Sequence, residues 1–375
     1  NNISNIDNII VESPPEHFDY DLSSNVAMVL SKINNENPRN LAEKLKTILI
    51  NNINDFAKID IAGPGFLNFK FNKKAWVLII NSILKSKSKY GSNKIKKKYN
   101  VEFVSANPTG PMHVGHCRGA VFGDVISNLL KFNGAKVTKE FYINDYGKQI
   151  ENFTKSVFLR MREIKFKENF PNDKDLYHGN YIIDIANMLF KNSKKINLNR
   201  YEACFDTIKN KSLDQSLKLI KSDLKLLGIK HDVFFSESNM IKKNYVEKII
   251  NALKKNKHVT DGYLSPPKGE ETKTWKKTKR LIFKSSNFGD DSDRALQKND
   301  GTWTYFANDI GYHFTKVSKK YDKLINVLGA DHIGYIKRIS AAVTAISNNK
   351  ISLTCKVCQL VKFMKNGQPF KMSKR

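Results

Sequence analysis

One segment constrains this chain more than any other, namely Val101–Ala120, with the sequence VEFVSANPTGPMHVGHCRGA. It predicts an apolar strand, a loop marked by proline and glycine, and the start of a helix, as in a parallel nucleotide-binding sheet. A helix N-terminus favours anions through its free N–H groups and dipole. His113 and His116 add donors, and Gly115 lets a flat base or a phosphate approach the backbone. We therefore expect phosphate chemistry here, although a histidine at a helix start is more often a cap or a surface residue.

A second basic element near the C-terminus strengthens that expectation. It is Lys371-Met372-Ser373-Lys374, followed by Arg375. Two ammonium groups three residues apart can neutralise the charge that develops on a leaving pyrophosphate, and this needs no proton transfer. The alternative is a basic tail without a catalytic role. With the first motif present, we predict that the two histidines and the two lysines are catalytic.

The sequence pattern of residues 1 to about 95 predicts a small α/β unit. Leucine recurs every fourth residue over Leu41–Leu49, which is typical of a helix. Ile59–Ala62 and Phe66–Phe71 flank a Gly-Pro-Gly turn, and the second run alternates apolar with polar residues, which predicts a hairpin with one buried face. A helix around Trp76–Leu84 then leads to a lysine-rich linker.

Residues 96–375 predict an α/β unit built on a parallel sheet. Residues 150–260 are mostly helical and lysine-rich, and we interpret them as an insertion between the halves of the sheet. A further helix is predicted through Ile339, Val343 and Ile346. The predicted strands of the sheet are Tyr99–Val104, Val137–Ile143 and Leu324–Leu328.

The amino-acid composition does not decide whether the protein binds a nucleic acid. A net charge of +28 favours phosphate-bearing partners, and RNA is the natural candidate. The excess is nearly all lysine scattered among asparagine and isoleucine, so biased codon usage explains it equally well. A hydrophobic fraction of 40% is ample for packed cores. No leader-like segment and no apolar run of membrane-spanning length occurs, so we expect a soluble cytoplasmic protein.

Four dispersed cysteines fit a reducing compartment rather than a disulfide-stapled fold. Cys355 and Cys358 form a C-x-x-C, which could be half of a zinc site or a redox pair. No second pair supplies further ligands, and the surrounding residues Ile351, Leu353 and Val361 predict a strand. We therefore expect no metal there.

The two motifs together resemble the class I aminoacyl-tRNA synthetases, whose signatures are H-x-G-H and K-M-S-K-S. The flanking segments FYINDYGKQI, TYFANDIGYH, NVLGADHIGYIKR and GQPFKMSKR are similar to the arginyl-tRNA synthetase family in particular. FDYDLSSNVAM and IAGPGFLNF extend the resemblance into the N-terminal unit, which in that family contacts the tRNA elbow. The implied fold is a Rossmann-like catalytic domain with a helical insertion, preceded by a small α/β domain.

The resemblance also implies an activity. Such an enzyme uses ATP to convert L-arginine to arginyl-adenylate and transfers the arginine to tRNA(Arg). We expect a cytoplasmic monomer with no membrane partner. Magnesium is expected with ATP, held mainly by the phosphates, without a dedicated protein metal site.

For ATP, the resemblance implies His113, Gly115 and His116 together with the Lys371–Lys374 loop. Asp331 and His332 follow a strand of the sheet, where open α/β sheets bind ligands. The alternative is that Asp331 and His332 belong to a solvated loop without a role in binding.

For arginine, the resemblance implies Glu102 and Asn107 near the α-ammonium, and Asn144 at a position that could equally be a helix cap. Tyr305 and Asp309, four residues apart, would hold the guanidinium, which carboxylates bind best. Each residue also has a structural alternative. Glu102 fits a solvated strand residue, Asn107 a loop former, Tyr305 a core aromatic and Asp309 a helix cap.

The sequence departs from the family at its ends, because family chains continue past K-M-S-K into an anticodon-binding domain and nothing follows Arg375. We therefore expect a chain that charges tRNA weakly or not at all. One alternative is a catalytically impaired fragment that only binds RNA or nucleotide. Others are a small-molecule nucleotidyltransferase, which the size disfavours, or a related synthetase for cysteine or glutamate. Those two would need a zinc site or a cationic pocket, respectively.

Overall fold

The computed structural model describes residues 8–192, 196–264, 278–359, 361 and 363–370. The chain divides into two compact units after Ser92. The first is a small antiparallel α/β unit and the second is a larger unit built on a parallel sheet. The predicted α/β class is confirmed.

The N-terminal unit is a four-stranded antiparallel sheet in the order β1-β2-β4-β3, covered by helices. Its small core contains Ile59, Leu67 and Phe69 from the sheet and Ala27 and Ala42 from the helices. The elements are β1 Val11–Glu12, β2 Leu22–Ser24, α1 Val26–Asn34, α2 Pro38–Asn52, β3 Phe56–Ala62, β4 Phe66–Phe71 and α3 Lys73–Ser86.

The predicted hairpin is confirmed as β3 and β4, with Ile59 opposite Phe69. Gly65 closes the turn at φ +134°, and a Cβ there would lie 3.0 Å from the backbone oxygen of Pro38. Glycine therefore meets both the steric and the conformational requirement. The alternation is less clean than predicted, because Asn68 is buried along with its apolar neighbours.

The larger unit contains a five-stranded parallel sheet in the order β12-β11-β5-β6-β7. From β5 the chain builds outward through β6 and β7, and then returns to the other side for β11 and β12. The strand order therefore reverses between β5 and β11, the place where open α/β sheets bind ligands. The strands are β5 Lys98–Glu102, β6 Lys136–Ile143, β7 Val233–Ser236, β11 Lys323–Gly329 and β12 Ser352–Cys358.

Helices and short strands complete this unit. A three-stranded antiparallel sheet runs β10-β9-β8, and β13 pairs with β14. None of the helices in the described ranges is long and apolar enough to cross a membrane. The elements are α4 Val114–Phe132, α5 Lys148–Phe166, α6 Asn180–Asn192, α7 Tyr201–Leu226, α8 Glu237–Lys242, α9 Tyr245–Lys255, β8 Val259–Gly262, β9 Arg280–Phe283, β10 Arg294–Ala295, α10 Tyr305–Ser318, α11 Ile336–Ser347, β13 Phe363–Lys365 and β14 Gln368–Phe370.

The helical insertion is shorter than the sequence predicted. Helices α5, α6 and α7 share a core of their own that includes Phe153, Ile182 and Ile208. The chain then rejoins the central sheet as β7, in register with β6. The prediction of an insertion reaching about residue 260 is therefore wrong at its C-terminal end. Strand β7 has only four residues, which is too short to show a clear hydrophobic period in the sequence.

Helix α4 packs on the sheet through its small residues Ala120, Gly123 and Ser127. A Cβ at Gly123 would lie 2.3 Å from the Cγ of Phe103, so only glycine permits this close approach. The larger apolar side chains of the helix lie on its other side. Val121, Val125, Leu129 and Phe132 are each more than 40% exposed and form the apolar stripe of α4.

Candidate active site

A cavity of about 810 Å³ lies at the carboxyl ends of β5 and β11. Glu102 and Asn107 enter it from the end of β5 and the following loop, and Asp309 enters from α10. His113 and His116 also line the cavity. The strand order thus brings residues more than 200 positions apart into one cavity.

The chain turns sharply where β5 enters the cavity. Val104 and Ser105 have φ values of 70° and 42°, which non-glycine residues rarely adopt. The Ser105 hydroxyl holds this turn by donating to Glu102 Oε1 at 3.0 Å and accepting from the Tyr142 N–H at 3.1 Å. The unusual backbone is thus fixed by side-chain hydrogen bonds at the cavity mouth.

The two histidines lie at the first turn of α4. His113 is the N-cap residue, and its N–H donates to His116 Nδ1 at 3.2 Å. Their rings stack with centroids 3.8 Å apart. A Cβ at Gly115 would lie 2.9 Å from the Cε1 of His113, so glycine permits this ring position. The structure thus gives Gly115 a reason to be small that is separate from the predicted ligand access.

Residues of the insertion hold the loop that precedes α4. The Met112 N–H donates to Asp223 Oδ2 of α7 at 3.0 Å. Tyr181 of α6 packs on Gly110, where a Cβ would lie 2.8 Å from the tyrosine ring. The insertion therefore fixes the approach to the two histidines, a role that its sequence did not reveal.

Glu102 is buried and paired. Its Oε2 accepts from Lys316 Nζ at 2.7 Å, and Lys316 also donates to Asn326 Oδ1 at 3.2 Å. Burial alone would raise the pKa of Glu102, but the Lys316 charge together with the hydrogen bonds from Lys316 and Ser105 outweighs it and holds that pKa below its ordinary value. The carboxylate is thus ionised and already neutralised by a cation of α10. The alternative of a solvated strand residue is wrong.

His313 belongs to the same buried group. Its Nδ1 lies 2.9 Å from the Asp309 backbone oxygen, and its Nε2 lies 3.1 Å from Asn326 Nδ2. Burial and the neighbouring Lys316 charge together lower the pKa of His313 to about 4. The ring is therefore neutral near pH 7 and serves as a hydrogen-bonding spacer.

Asp309 lines the cavity with its carboxylate, and the Tyr335 hydroxyl donates to its Oδ2. Burial raises the pKa of Asp309 to about 7, although the Tyr335 hydrogen bond opposes the rise. The helix-cap alternative is wrong, because Thr304 caps α10 by accepting from the Ala307 N–H. Asp309 is therefore a carboxylate facing the cavity.

The structure does not bring Tyr305 to the cavity. Tyr305 begins α10 and is 78% exposed, with Lys298 Nζ 5.8 Å from its ring. The structure therefore places Tyr305 neither beside the cavity, as the guanidinium contact requires, nor in the core, as the alternative requires. The tyrosine that contacts Asp309 is Tyr335, which the sequence did not single out.

Asn144 lines the cavity, and its side chain contacts the buried carboxylate of Glu237. With the amide oriented to satisfy its neighbours, its nitrogen lies 2.9 Å from Glu237 Oε2. Glu237 is buried. Its carboxylate forms a hydrogen bond with the Tyr142 side chain and accepts another from Asn308 Nδ2 at 3.2 Å. Asp145, by contrast, accepts from the Ser238 N–H at 2.8 Å and stabilises the start of α8.

Sequence reasoning missed Tyr142, which lines the cavity, and Glu237, which is buried behind it. Burial raises the pKa of Glu237. Burial and the nearby carboxylates also raise the pKa of Tyr142 far above its ordinary range. Glu237 directly follows β7, so recognising that strand would have placed a carboxylate at the carboxyl edge of the sheet.

The remaining predicted residues lie at the cavity rim or outside the described ranges. Asn107 donates from Nδ2 to Gln149 Oε1 at 2.8 Å. Asp331 and His332 are exposed, with Asp331 Oδ2 and His332 Nε2 3.5 Å apart. The predicted catalytic loop, Lys371, Met372, Ser373 and Lys374, lies outside the residues that the structure describes.

Cys355 and Cys358 do lie on a strand, β12, as predicted. Cys355 packs against the core that contains Phe306 and Ile339, whereas Cys358 packs against the core that contains Phe103. The two thiols therefore belong to opposite faces of the sheet. Within the described ranges, no group of three or more histidine, cysteine and acidic residues could hold a metal ion.

Comparison with known proteins agrees with this geometry. Residues 79–374 match the family described as tRNA synthetases class I (R), catalytic domain, and residues 2–71 match the arginyl tRNA synthetase N terminal domain. The chain belongs to the arginyl-tRNA synthetase family.

Individual members of the arginyl-tRNA synthetase family match almost the whole chain. It is 52% identical to an arginine–tRNA ligase of Pelagibacter ubique over 99% of its length, and 44% identical to one of Wolbachia from Brugia malayi over 100%. It spans 65% and 66% of those proteins. The arginyl-tRNA synthetase of Thermus thermophilus, 17% identical, shares the fold with a TM-score of 0.61 over 93% of this chain and 62% of that one.

Proposed function

We propose that this chain activates L-arginine with ATP to form arginyl-adenylate and transfers the arginine to tRNA(Arg). The observation that supports this most is a group of three acidic side chains, which we call the acidic end. Asp309 and Glu102 line the cavity, and Glu237 is buried beside Asn144 and Tyr142, near enough to act on the charge of Asp309. Lys316 neutralises only one of them. A permanently protonated, planar guanidinium is the amino-acid side chain that such an end would attract.

The same charges argue against the two related substrates. A glutamate side chain would meet carboxylates rather than cations, so the cavity would repel it. A cysteine-specific enzyme would need a zinc site, and the described residues contain no candidate ligand cluster. The acidic end therefore favours arginine among these three amino acids.

We propose that ATP lies at the other end, beside His113, His116 and the first turn of α4. The positive end of the helix dipole, two imidazoles and a glycine suit a polyphosphate and a flat base. Asp331 and His332 also line the cavity. Mg²⁺ bound to the phosphates would neutralise charge on the leaving pyrophosphate.

In the proposed reaction, the arginine carboxylate attacks the α-phosphate in line, so the protein needs no general base. The acidic end, with Asn144 beside Glu237, would hold the side chain, and Asn107 would orient the amino-acid end. Lys371 and Lys374 would stabilise the leaving pyrophosphate. The neutralised Glu102 would act mainly by orientation, because its charge is already balanced by Lys316.

The N-terminal unit is proposed to contact tRNA, in line with the family domain that matches residues 2–71. A cytoplasmic monomer is proposed as the working form. All four cysteines are free thiols, which suits a reducing compartment. The strong positive charge would make tRNA binding weaken with salt.

Thermal unfolding with a non-hydrolysable arginyl-adenylate analogue tests this proposal, with cysteinyl and glutamyl analogues as controls. A hundredfold excess over the dissociation constant should stabilise the chain by about 2.7 kcal/mol. We expect stabilisation by the arginyl compound alone, and its loss in Asp309→Ala. Asp214→Ala, which removes an exposed carboxylate of α7, is the matched control. Equal stabilisation by all three analogues, or by none, would contradict the proposal.

A further inference from the structure

The carboxylate of Asp309 has a hydrogen-bond donor from a separate segment of the chain. Asp309 lies on α10, whereas Tyr335 ends the 3-10 helix Ala330–Tyr335 that follows β11. The Tyr335 hydroxyl donates to Asp309 Oδ2. That short helix also carries Asp331 and His332, so one segment both contacts the carboxylate and lines the cavity.

The ring of Tyr335 is held in place by its neighbours. It meets Phe306 edge-on with centroids 6.2 Å apart, and the Arg338 guanidinium lies 5.1 Å from its centroid. Tyr335 also packs against the core that contains Phe306 and Ile339. A fixed ring delivers its hydroxyl in one direction, which makes the hydrogen bond an orienting contact rather than an adaptable one.

The surroundings of Asp309 otherwise disfavour a negative charge. Glu102 and Glu237 repel it, and the Lys316 charge that opposes them is already paired with Glu102. The hydroxyl of Tyr335 thus stabilises the ionised form directly. The titratable and charged groups facing the pair are Glu102, Tyr142, Glu237, His313, Lys316 and Arg338.

We propose that Tyr335 is a positioning residue for substrate selection, which keeps Asp309 ionised and oriented towards the guanidinium of arginine. This inference rests on the proposed function, because it takes Asp309 as the guanidinium ligand. Tyr335 itself acts through Asp309 and touches no reacting atom.

The proposal makes arginine affinity depend on pH in a defined way. With the pKa of Asp309 at about 7, the carboxylate that accepts guanidinium hydrogen bonds is lost as pH falls through 7. Removing the hydroxyl raises that pKa further, so more of the site is protonated at neutral pH. The defect should therefore shrink as pH rises.

Calorimetric titration of L-arginine into the wild-type chain and Tyr335→Phe, at pH 6.5, 7.5 and 8.5, tests this. We expect the variant to bind about tenfold more weakly at pH 6.5, as for a lost hydrogen bond to a charged group, and the ratio to fall by pH 8.5. Phenylalanine keeps the ring contacts, and Tyr90→Phe in the N-terminal unit is the matched control. A ratio independent of pH, or equal affinities, would overturn the proposal.

Asp309→Asn separates this inference from the proposed function. If the wild-type chain binds no arginine, or if Asp309→Asn binds it as tightly as wild type, the proposed guanidinium site fails and Tyr335 loses its role. If Asp309→Asn abolishes binding while Tyr335→Phe keeps the wild-type pH profile, only the role of Tyr335 fails.

Discussion

The two ends of the cavity are built in different ways. At the end where we propose that ATP binds, which we call the nucleotide end, His113, Gly115 and His116 come from one stretch of chain at the start of α4. At the acidic end, Glu102, Glu237 and Asp309 come from β5, α8 and α10. The first end is a local motif and the second is a tertiary assembly. A substitution should therefore act locally at the nucleotide end and spread through a buried network at the acidic end.

The largest expected effect is at the acidic end. Lys316→Met leaves the buried carboxylate of Glu102 without its cation, which should lower the free energy of unfolding by about 3–5 kcal/mol. Urea denaturation measures this. Lys218→Met, which breaks an exposed ion pair with Asp214, should cost below about 1 kcal/mol. Similar losses in the two variants would mean that the acidic end does not depend on its buried cation.

The next effect concerns the support of the nucleotide end. His231 lies between the rings of Phe103, Phe141 and Phe234, and burial lowers its pKa to about 4. Since the unfolded chain binds the proton more tightly, stability should fall as pH drops from about 6.5 towards 4, by up to about 3 kcal/mol.

His231→Phe should remove that part of the acid sensitivity. Urea unfolding at several pH values measures it, with the exposed His17→Phe as control. An unchanged pH dependence in His231→Phe would show that other groups cause the acid loss.

A smaller effect is expected for Gly115→Ala. The added methyl group meets the His113 ring and should displace it, which we expect to weaken ATP binding about tenfold through a lost hydrogen bond. Stability should change by no more than about 1 kcal/mol, because alanine favours the helix. Gly334→Ala, where an added Cβ meets nothing within 4 Å, is the control for ATP titrations. Weaker arginine binding in Gly115→Ala would mean that the two ends are not independent.

The smallest effect is expected for Tyr305→Phe. Because its side chain is exposed away from the cavity, arginine affinity should change less than about twofold, within the range of surface substitutions. The family resemblance instead assigns Tyr305 a guanidinium contact, whose loss would cost about tenfold. Titration with L-arginine decides between them. A tenfold loss would mean that the start of α10 reaches the cavity when arginine binds.

The same contrast explains what the sequence could predict. The H-x-G-H segment was readable because its strand, loop and helix start are adjacent in the chain. Glu237 was not, because β7 is too short to show a period, and the pairing of Asp309 with Tyr335 depends on tertiary packing. Family resemblance placed Asp309 at the cavity, but it also placed Tyr305 there. The four-residue spacing predicted that Tyr305 and Asp309 share a helix face. It could not show that the helix begins at Tyr305, whose side chain is exposed there.

The apolar stripe of α4 bears on how the chain behaves at high concentration. Salt screens the mutual repulsion that a net charge of +28 provides, but it does not weaken attraction between apolar surfaces. Val121, Val125, Leu129 and Phe132 would then attract similar surfaces on other molecules. The chain should therefore remain dispersed in dilute buffer and self-associate as ionic strength rises, the reverse of ordinary salting-in.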